Sequence, residues 1–216
     1  MSSGSPDSVV DTVVLRYFLL VDEIELLVEL LGSPLGVPRI VFDPEEDEDV
    51  PASARSEIRR SVAYQQAASR DPARDEEARA TALRNATRLA GVTELHAAGR
   101  IVTLDLTDAE LATVGRLTSP TGCAAFGLTF PLDAGEAACV AMAVARSLPL
   151  ATDDGDALRA LHVIAPRHPY ERIRKLLMRA ATDGRVTRRQ ANEIHDEMRR
   201  LGFWDTHAPF PGEAPG

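Results

Sequence analysis

The chain has 216 residues and a formal net charge of −9 at pH 7, with 44% hydrophobic and 26% charged residues. This balance is typical of a globular protein with a substantial core, and it excludes a largely disordered or fibrous chain. Only two cysteines are present, Cys123 and Cys139, which excludes a disulfide scaffold and a four-cysteine zinc site.

Neither membrane insertion nor secretion is predicted. The most apolar stretch, Val13–Leu31, carries five charged residues in nineteen, too many for a membrane span. The N-terminus shows no basic segment followed by an apolar run, so no secretory signal is recognised. We therefore expect a cytoplasmic protein without a membrane partner.

The charge is distributed unevenly along the sequence. Residues 1–50 contain twelve acids and two arginines, a net of −10, whereas residues 51–216 contain twenty-one acids and twenty-two bases, a net of +1. This excludes a uniformly basic nucleic-acid binder but allows a polarised molecule.

The hydrophobic pattern predicts strands and helices that alternate along the chain. Short apolar runs predict strands at Val9–Val14, Val37–Phe42, Ile101–Leu106, Leu148–Thr152 and Val163–Ala165. Helical spacing predicts helices at Tyr17–Leu31, Pro51–Ser69, Arg74–Ala98, Asp133–Arg146, Tyr170–Ala181 and Thr187–Leu201, with short helices after Thr107 and Asp156 and a loop at Ser119–Pro131. Such alternation implies a parallel sheet covered on both faces, which binds ligands beyond the carboxyl ends of its strands.

Acidic residues interrupt apolar elements at three places. Asp11 lies among valines, Glu136 opens a helix of small residues, and Asp153, Asp154 and Asp156 follow an apolar run. Each has a structural explanation, since acids end strands, complement helix dipoles and cap helices. In a parallel sheet, however, all three places would converge at one edge, where repelling carboxylates favour a bound cation. Hard oxygen ligands select Mg²⁺ or Mn²⁺.

Three stretches of the chain carry a family resemblance. Val9–Arg16 resembles the opening strand of PIN-domain proteins, with its Asp-Thr pair. Leu132–Ala143 is similar to the family's Gly-Glu-Ala helix, and Leu150–Ala157 is similar to its Thr-x-Asp-x-Asp turn. The three stretches follow one another in the family's order and with about its spacing.

The resemblance implies a three-layer α/β/α sandwich and a Mg²⁺- or Mn²⁺-dependent ribonuclease, as in the toxins of bacterial toxin–antitoxin pairs. RNA would be the substrate, and a cognate antitoxin and a second copy of the chain are implied partners. The residues carried over as metal ligands are Asp11, Glu136, Asp154 and Asp156. Thr12 and Thr152 would orient carboxylates, and Asp153 is an alternative to its neighbour Asp154.

The sequence departs from the family at a second acid, which usually follows the second strand. Pro44 stands near the expected position. We predict that Asp43 fills this catalytic role, with Glu45, Glu46 and Glu57 as the other candidates.

Two other functions compete with a nuclease. A catalytically silent PIN-like module that binds RNA or protein would explain the atypical second acid. A different Mg²⁺-dependent phosphohydrolase would need an Asp-x-Asp motif at the first strand, and the sequence there is Asp11-Thr12-Val13.

The domain organisation follows from these elements. We predict a PIN-like domain over residues 8–166 that includes a helical hairpin at 51–98, followed by a C-terminal helix pair at 167–204. Residues 1–7 are predicted to be disordered, and residues 205–216 to form a flexible tail.

Overall fold

The fold is known from a computed structural model that describes residues 5–47 and 49–212. The predicted terminal segments 1–7 and 205–216 therefore lie partly outside the described residues. The strands are β1 (Ser8–Val10), β2 (Leu35–Pro38), β3 (Ile101–Leu104), β4 (Leu150–Ala151) and β5 (Tyr170–Glu171). The helices are α1 (Thr12–Leu20), α2 (Ile24–Leu31), α3 (Glu57–Arg70), α4 (Glu76–Ala90), α5 (Val92–Ala97), α6 (Asp108–Leu117), α7 (Pro120–Phe126), α8 (Ala134–Arg146), α9 (Gly155–Ile164), α10 (Ile173–Thr182) and α11 (Arg188–Arg200).

The five strands form one parallel sheet in the order β3-β2-β1-β4-β5. The protein is thus a three-layer α/β/α sandwich, as predicted. The chain leaves β1 towards β2 and β3 and later returns to β4 on the other side of β1. The strand order therefore reverses between β1 and β4, and a crevice is expected beyond the carboxyl ends of these two strands.

Several predicted boundaries are wrong, and the first concerns β1. The predicted strand Val9–Val14 ends at Val10, because Asp11 is the N-cap residue of α1, which starts at Thr12. The predicted helix Tyr17–Leu31 is two helices, because Asp22 adopts a left-handed conformation with φ of 64°.

Other differences arise where local capping overrides composition. The predicted loop at Ser119–Pro131 contains α7, because the Ser119 hydroxyl accepts a hydrogen bond from Gly122 N and Pro120 suits the first turn.

Two further predicted boundaries differ from the structure. The predicted strand Val163–Ala165 lies at the end of α9 and beyond it, and β5 forms at Tyr170–Glu171 instead. The predicted helical region 51–98 folds as α3, α4 and α5, with Gly91 between the last two.

The C-terminal helices belong to the same core as the sheet. Apolar residues of α10 and α11, such as Leu176 and Met198, are fully buried in one cluster with Val10 of β1 and Leu15 of α1. In addition, β5 pairs with β4. The segment from 167 onward therefore completes the sandwich rather than following it. No helix in the described ranges is both long and apolar enough to cross a bilayer.

An ion pair joins α6 to α8, the helix that carries Glu136. Arg146 donates through Nε to Glu110 Oε1 (2.7 Å) and through Nη2 to Oε2 (2.9 Å). The Glu110 side chain is only 2% exposed, and it also accepts a hydrogen bond from Thr107 N in a capping box. The Arg146 guanidinium lowers the pKa of Glu110 to about 2.

Removing Arg146 should therefore be costly. We expect Arg146→Ala to destabilise the fold by about 3 kcal/mol, because it leaves the Glu110 carboxylate buried without its cation. In the double variant with Glu110→Gln the loss should be smaller, since an amide keeps the cap and carries no charge. Urea unfolding measures the free energy of unfolding of both variants.

Arg200→Ala, which breaks an exposed ion pair with Glu197, serves as the control and should change stability by less than about 1 kcal/mol. Equal losses in the single and double variants would contradict this account.

Candidate functional site

Four carboxylates from four different elements converge at the point where the strand order reverses. Asp11 follows β1 and Asp154 follows β4, while Glu57 opens α3 and Glu136 lies in the first turn of α8. They share a cleft of about 260 Å³, called here the carboxylate cleft. Its lining residues are Asp11, Thr12, Val13, Glu57, Arg60, Ser61, Asp133, Glu136 and Asp154.

Asp11 is the most buried of the four acids. It is 3% exposed, and its Oδ2 accepts a hydrogen bond from Thr152 Oγ1 (2.7 Å). The same Thr152 hydroxyl accepts a hydrogen bond from Asp154 N (3.0 Å). Burial raises the pKa of Asp11 to about 7, against the lowering effect of the Thr152 bond and with the added repulsion of Glu57.

Glu136 is held at the start of its helix. Its Oε2 accepts a hydrogen bond from Asp133 N (3.2 Å), as in a capping box. Burial, followed by the negative charge of Asp154, raises the pKa of Glu136 to about 8. Two carboxyl groups of this cleft therefore titrate near neutral pH.

Two neighbouring residues hold the Glu57 side chain in the cleft, one by a hydrogen bond and the other by leaving space for it. The Thr12 hydroxyl donates a hydrogen bond to Glu57 Oε2. Gly135 leaves the space, since a Cβ built at this glycine would lie 2.8 Å from Glu57 Cδ. Thr12 and Thr152 thus both donate hydrogen bonds to carboxylates, in the manner predicted from the sequence.

Asp154, rather than Asp153, faces the cleft. Asp154 Oδ1 accepts hydrogen bonds from Asp156 N (2.7 Å) and Ala157 N (2.9 Å), which caps α9. Asp153 is buried elsewhere, where it accepts hydrogen bonds from Arg172 Nε (2.9 Å) and Ile173 N (2.6 Å). Burial raises the pKa of Asp153 in spite of these partners.

Asp156 is not among the residues that line the carboxylate cleft. Its side chain pairs with Arg159 one turn further along α9. The structure therefore places Asp156 apart from the acids that it was predicted to join, because the first turn of α9 turns its side chain outward.

Asp43, the predicted second acid, also lies outside the carboxylate cleft. It accepts hydrogen bonds from Arg39 Nη1 (2.7 Å) and from Glu45 N (3.0 Å). Glu57, which the sequence left as an alternative, takes the place beside Asp11. Its position directly after Ser56 at the start of a helix is one where the helix dipole favours an acid, but this signal alone does not direct Glu57 to the cleft.

The charge of this cleft is poorly compensated. In the described part of the chain, no arginine, lysine or histidine forms an ion pair with Asp11, Glu57, Glu136 or Asp154. Arg60 lines the cleft but pairs with none of them. Hard carboxylate and hydroxyl oxygens are the donor chemistry that Mg²⁺ and Mn²⁺ prefer.

The spacing of these donors fits a cation less well than their chemistry does. Within residues 5–47 and 49–212, no three of the Asp, Glu, His or Cys side chains are grouped closely enough to hold one metal ion. A cation would therefore have to draw the carboxylates together.

No protein-family model, curated protein or solved structure matches this chain. The fold and the geometry of the carboxylate cleft are therefore the observations on which a function can be argued.

The fit between Gly135 and Glu57 can be tested by a double-mutant cycle. Gly135→Ala should destabilise the fold by about 1–3 kcal/mol, because its methyl group collides with the Glu57 carboxylate. In a Glu57→Ala background the same change should be neutral or stabilising by up to about 1 kcal/mol, since alanine favours a helix. Urea unfolding of the four proteins gives the coupling energy. A coupling energy of zero would show that the two residues do not touch.

The pH dependence of the protein's stability should reveal the raised pKa values of the buried acids. Asp11 and Glu136 have raised pKa values of about 7 and about 8 in the fold, whereas unfolded carboxyl groups titrate near 4. Between about pH 4 and these values the folded state therefore binds more protons than the unfolded state, so its stability falls as the pH rises towards them.

In EDTA, we expect the thermal midpoint of the wild-type protein to decrease between about pH 5 and pH 8 and to level off above that. Asp11→Asn and Glu136→Gln should each flatten that decrease, because an amide does not ionise. Glu197→Gln, at an exposed ion pair, should leave the slope unchanged. The same slope in the wild type and in both cleft variants would refute the assignment.

Proposed function

We propose that this protein is a cytoplasmic, divalent-metal-dependent ribonuclease of the PIN-like type. The observation that carries the proposal is the convergence of Asp11, Glu57, Glu136 and Asp154 where the strand order reverses, with no cation paired to them among the described residues. Buried like charges are costly. A cluster of this kind is most readily explained by a function that needs it.

Mg²⁺ or Mn²⁺ would be held by these four acids. When bound, such an ion polarises a phosphoryl oxygen and lowers the pKa of a water for attack on a phosphodiester. The chain supplies the orientation: Thr152 holds the Asp11 carboxylate, and Thr12 holds Glu57. Protons compete with a cation for Asp11 and Glu136, so cation affinity should rise with pH.

Several features support RNA as the substrate. The three stretches around Asp11, Glu136 and Asp154 resemble those of PIN-domain ribonucleases. Arg60 lies beside the acids and offers a guanidinium to an RNA phosphate. The same resemblance suggests a toxin that dimerises and is held by an antitoxin, and both partners belong to this proposal.

A specific observation favours one second candidate, a catalytically silent PIN-like module that binds RNA or protein. No three acids of the described ranges are spaced to hold one metal ion. If a cation cannot draw them together, the cleft would keep its shape without catalysing hydrolysis.

The test is cleavage of mixed structured and single-stranded RNA with Mn²⁺ or Mg²⁺, beside EDTA. We expect metal-dependent cleavage that falls by at least about 100-fold in Asp154→Asn and in Glu57→Gln. Asp43→Asn, whose carboxylate pairs with Arg39 outside the carboxylate cleft, should retain activity.

The pair Glu57→Gln and Asp43→Asn separates the acid that the structure places in the cleft from the one favoured by sequence. Loss of activity in Asp43→Asn alone would overturn the placement. RNA binding that persists in EDTA, together with no cleavage in either metal, would favour the silent module.

A further inference from the structure

A groove lies further along the face of α3 that lines the carboxylate cleft. Tyr64 follows Glu57 by seven residues and Arg60 by four, so the three share one face of the helix, with Tyr64 about 10 Å along the axis from Glu57. Tyr64 lines a groove of about 580 Å³ between α3, α4 and the end of α11. We call it the Tyr64 groove, and the residues that define it are Tyr64, Ala78, Ala82, Arg200, Leu201 and Gly202.

The Tyr64 ring is available to a ligand. It is 62% exposed, and among the described residues it contacts neither another aromatic ring nor a cation. The groove beside it favours a flat group over a phosphate, because its charged side chains balance in sign. They are Arg74 and Arg200 against Asp75 and Glu77.

Two arginines lie where the carboxylate cleft gives way to this face. Arg60 lines the cleft and precedes Tyr64 by one turn of α3. Arg16 follows Thr12, another lining residue, by one turn of α1. In the part of the chain that the structure describes, neither arginine forms an ion pair, and Arg16 Nε is buried without an acceptor. Both guanidinium groups therefore retain donors for an anion.

Arg16 lies between the carboxylate cleft and the Tyr64 groove. Its guanidinium carbon is 5.6 Å from the centre of the Tyr17 ring. A Cβ built on Gly202, which lines the groove, would in turn lie 3.7 Å from Tyr17 Oη. Side chains of a helix lean towards its N-terminus, which directs Arg16 towards Thr12 and the cleft.

The order of these features matches a single nucleic-acid strand. Acids for a cation come first, then two guanidinium groups, then an exposed ring beside a groove. A single strand offers phosphates at regular spacing and bases whose faces are free to stack on aromatic side chains. A duplex keeps its base faces stacked on one another, so it cannot use the Tyr64 ring.

We propose that single-stranded RNA bound at the carboxylate cleft continues along this face of α3, with its phosphates paired to Arg60 and Arg16 and one base stacked on Tyr64. The inference rests on the proposed function in taking RNA as the ligand, but binding along this path does not require cleavage. It makes an unpaired strand, rather than a duplex, the preferred substrate.

The experiment is titration of a fluorescently labelled adenosine RNA octamer with the full chain in EDTA at low salt, followed by anisotropy. Tyr64→Ala should weaken binding about tenfold, because one base loses its stacking partner. Tyr64→Phe keeps the ring and should bind within about twofold of the wild type. An RNA duplex of the same length should bind Tyr64→Ala and the wild type equally.

Leu83→Ala is the matched control for Tyr64→Ala. The Leu83 side chain is 57% exposed on α4, and it is not among the residues that line the Tyr64 groove. This variant should bind the octamer as the wild type does. Circular dichroism verifies the fold of each variant.

Salt dependence separates the phosphate contacts from the base contact. Arg60→Gln and Arg16→Gln should each reduce the slope of log K against log salt by about 0.7, the value for one phosphate of a single strand. Tyr64→Ala should leave the slope unchanged. Arg189→Gln, in an exposed ion pair with Glu193 at the start of α11, is the control for loss of an arginine. If Arg16→Gln does not fold, the exposed Arg60 still tests the path.

The path is overturned if the wild type does not bind the octamer, if Tyr64→Ala binds it as tightly as the wild type, or if Arg60→Gln leaves the slope unchanged. Equal weakening of octamer and duplex in Tyr64→Ala would also overturn it. Metal-dependent cleavage together with any of these results would keep the nuclease and remove the path. Binding that depends on Tyr64 without cleavage in either metal would keep the path and remove the nuclease.

Discussion

The hydrogen bond from Thr152 to Asp11 is the contact on which the carboxylate cleft depends. It links the ends of β1 and β4, the two strands between which the order of the sheet reverses. Because Asp11 follows a fully buried strand and is itself only 3% exposed, its carboxylate loses most of its hydration, and Thr152 replaces part of it. The same hydroxyl accepts a hydrogen bond from Asp154 N, so one threonine fixes two acids that follow different strands.

The contrast between Asp11 and Asp153 shows how differently the fold treats two buried acids. Asp153 is 1% exposed, yet it pairs with Arg172 and with a backbone N–H of α10. It therefore attaches the C-terminal helices to the sheet, which is a structural role. Asp11 has a hydroxyl donor but no cationic partner in the described ranges. The fold supplies an arginine to the buried acid at Asp153, whereas burial raises the pKa of Asp11 to about 7.

The sequence predicted those features that rest on local chemistry. The acids at the strand ends, the capping boxes at Thr107 and Thr187, and the alternation that gives a parallel sheet all follow from neighbouring residues. The predictions that failed depend on the direction in which a side chain points or on contacts between distant parts of the chain. Asp156 was predicted to join the acids of the carboxylate cleft, but its side chain pairs with Arg159 instead, and β5 has just two residues, too few to give a hydrophobic pattern. Glu57 could not be chosen over Asp43 because the loop between them must fold before either position is defined.

The start of α3 is fixed on two sides, and this sets the position of Glu57. On one side, Glu46 Oε2 accepts a hydrogen bond from Ser56 N (2.8 Å). On the other, Glu57 N and Ile58 N donate to Ile40 O (3.0 Å) and Val41 O (3.0 Å). Because the backbone is held at this point, the Glu57 side chain extends into the carboxylate cleft from a defined position, where Thr12 donates to it and Gly135 leaves it space.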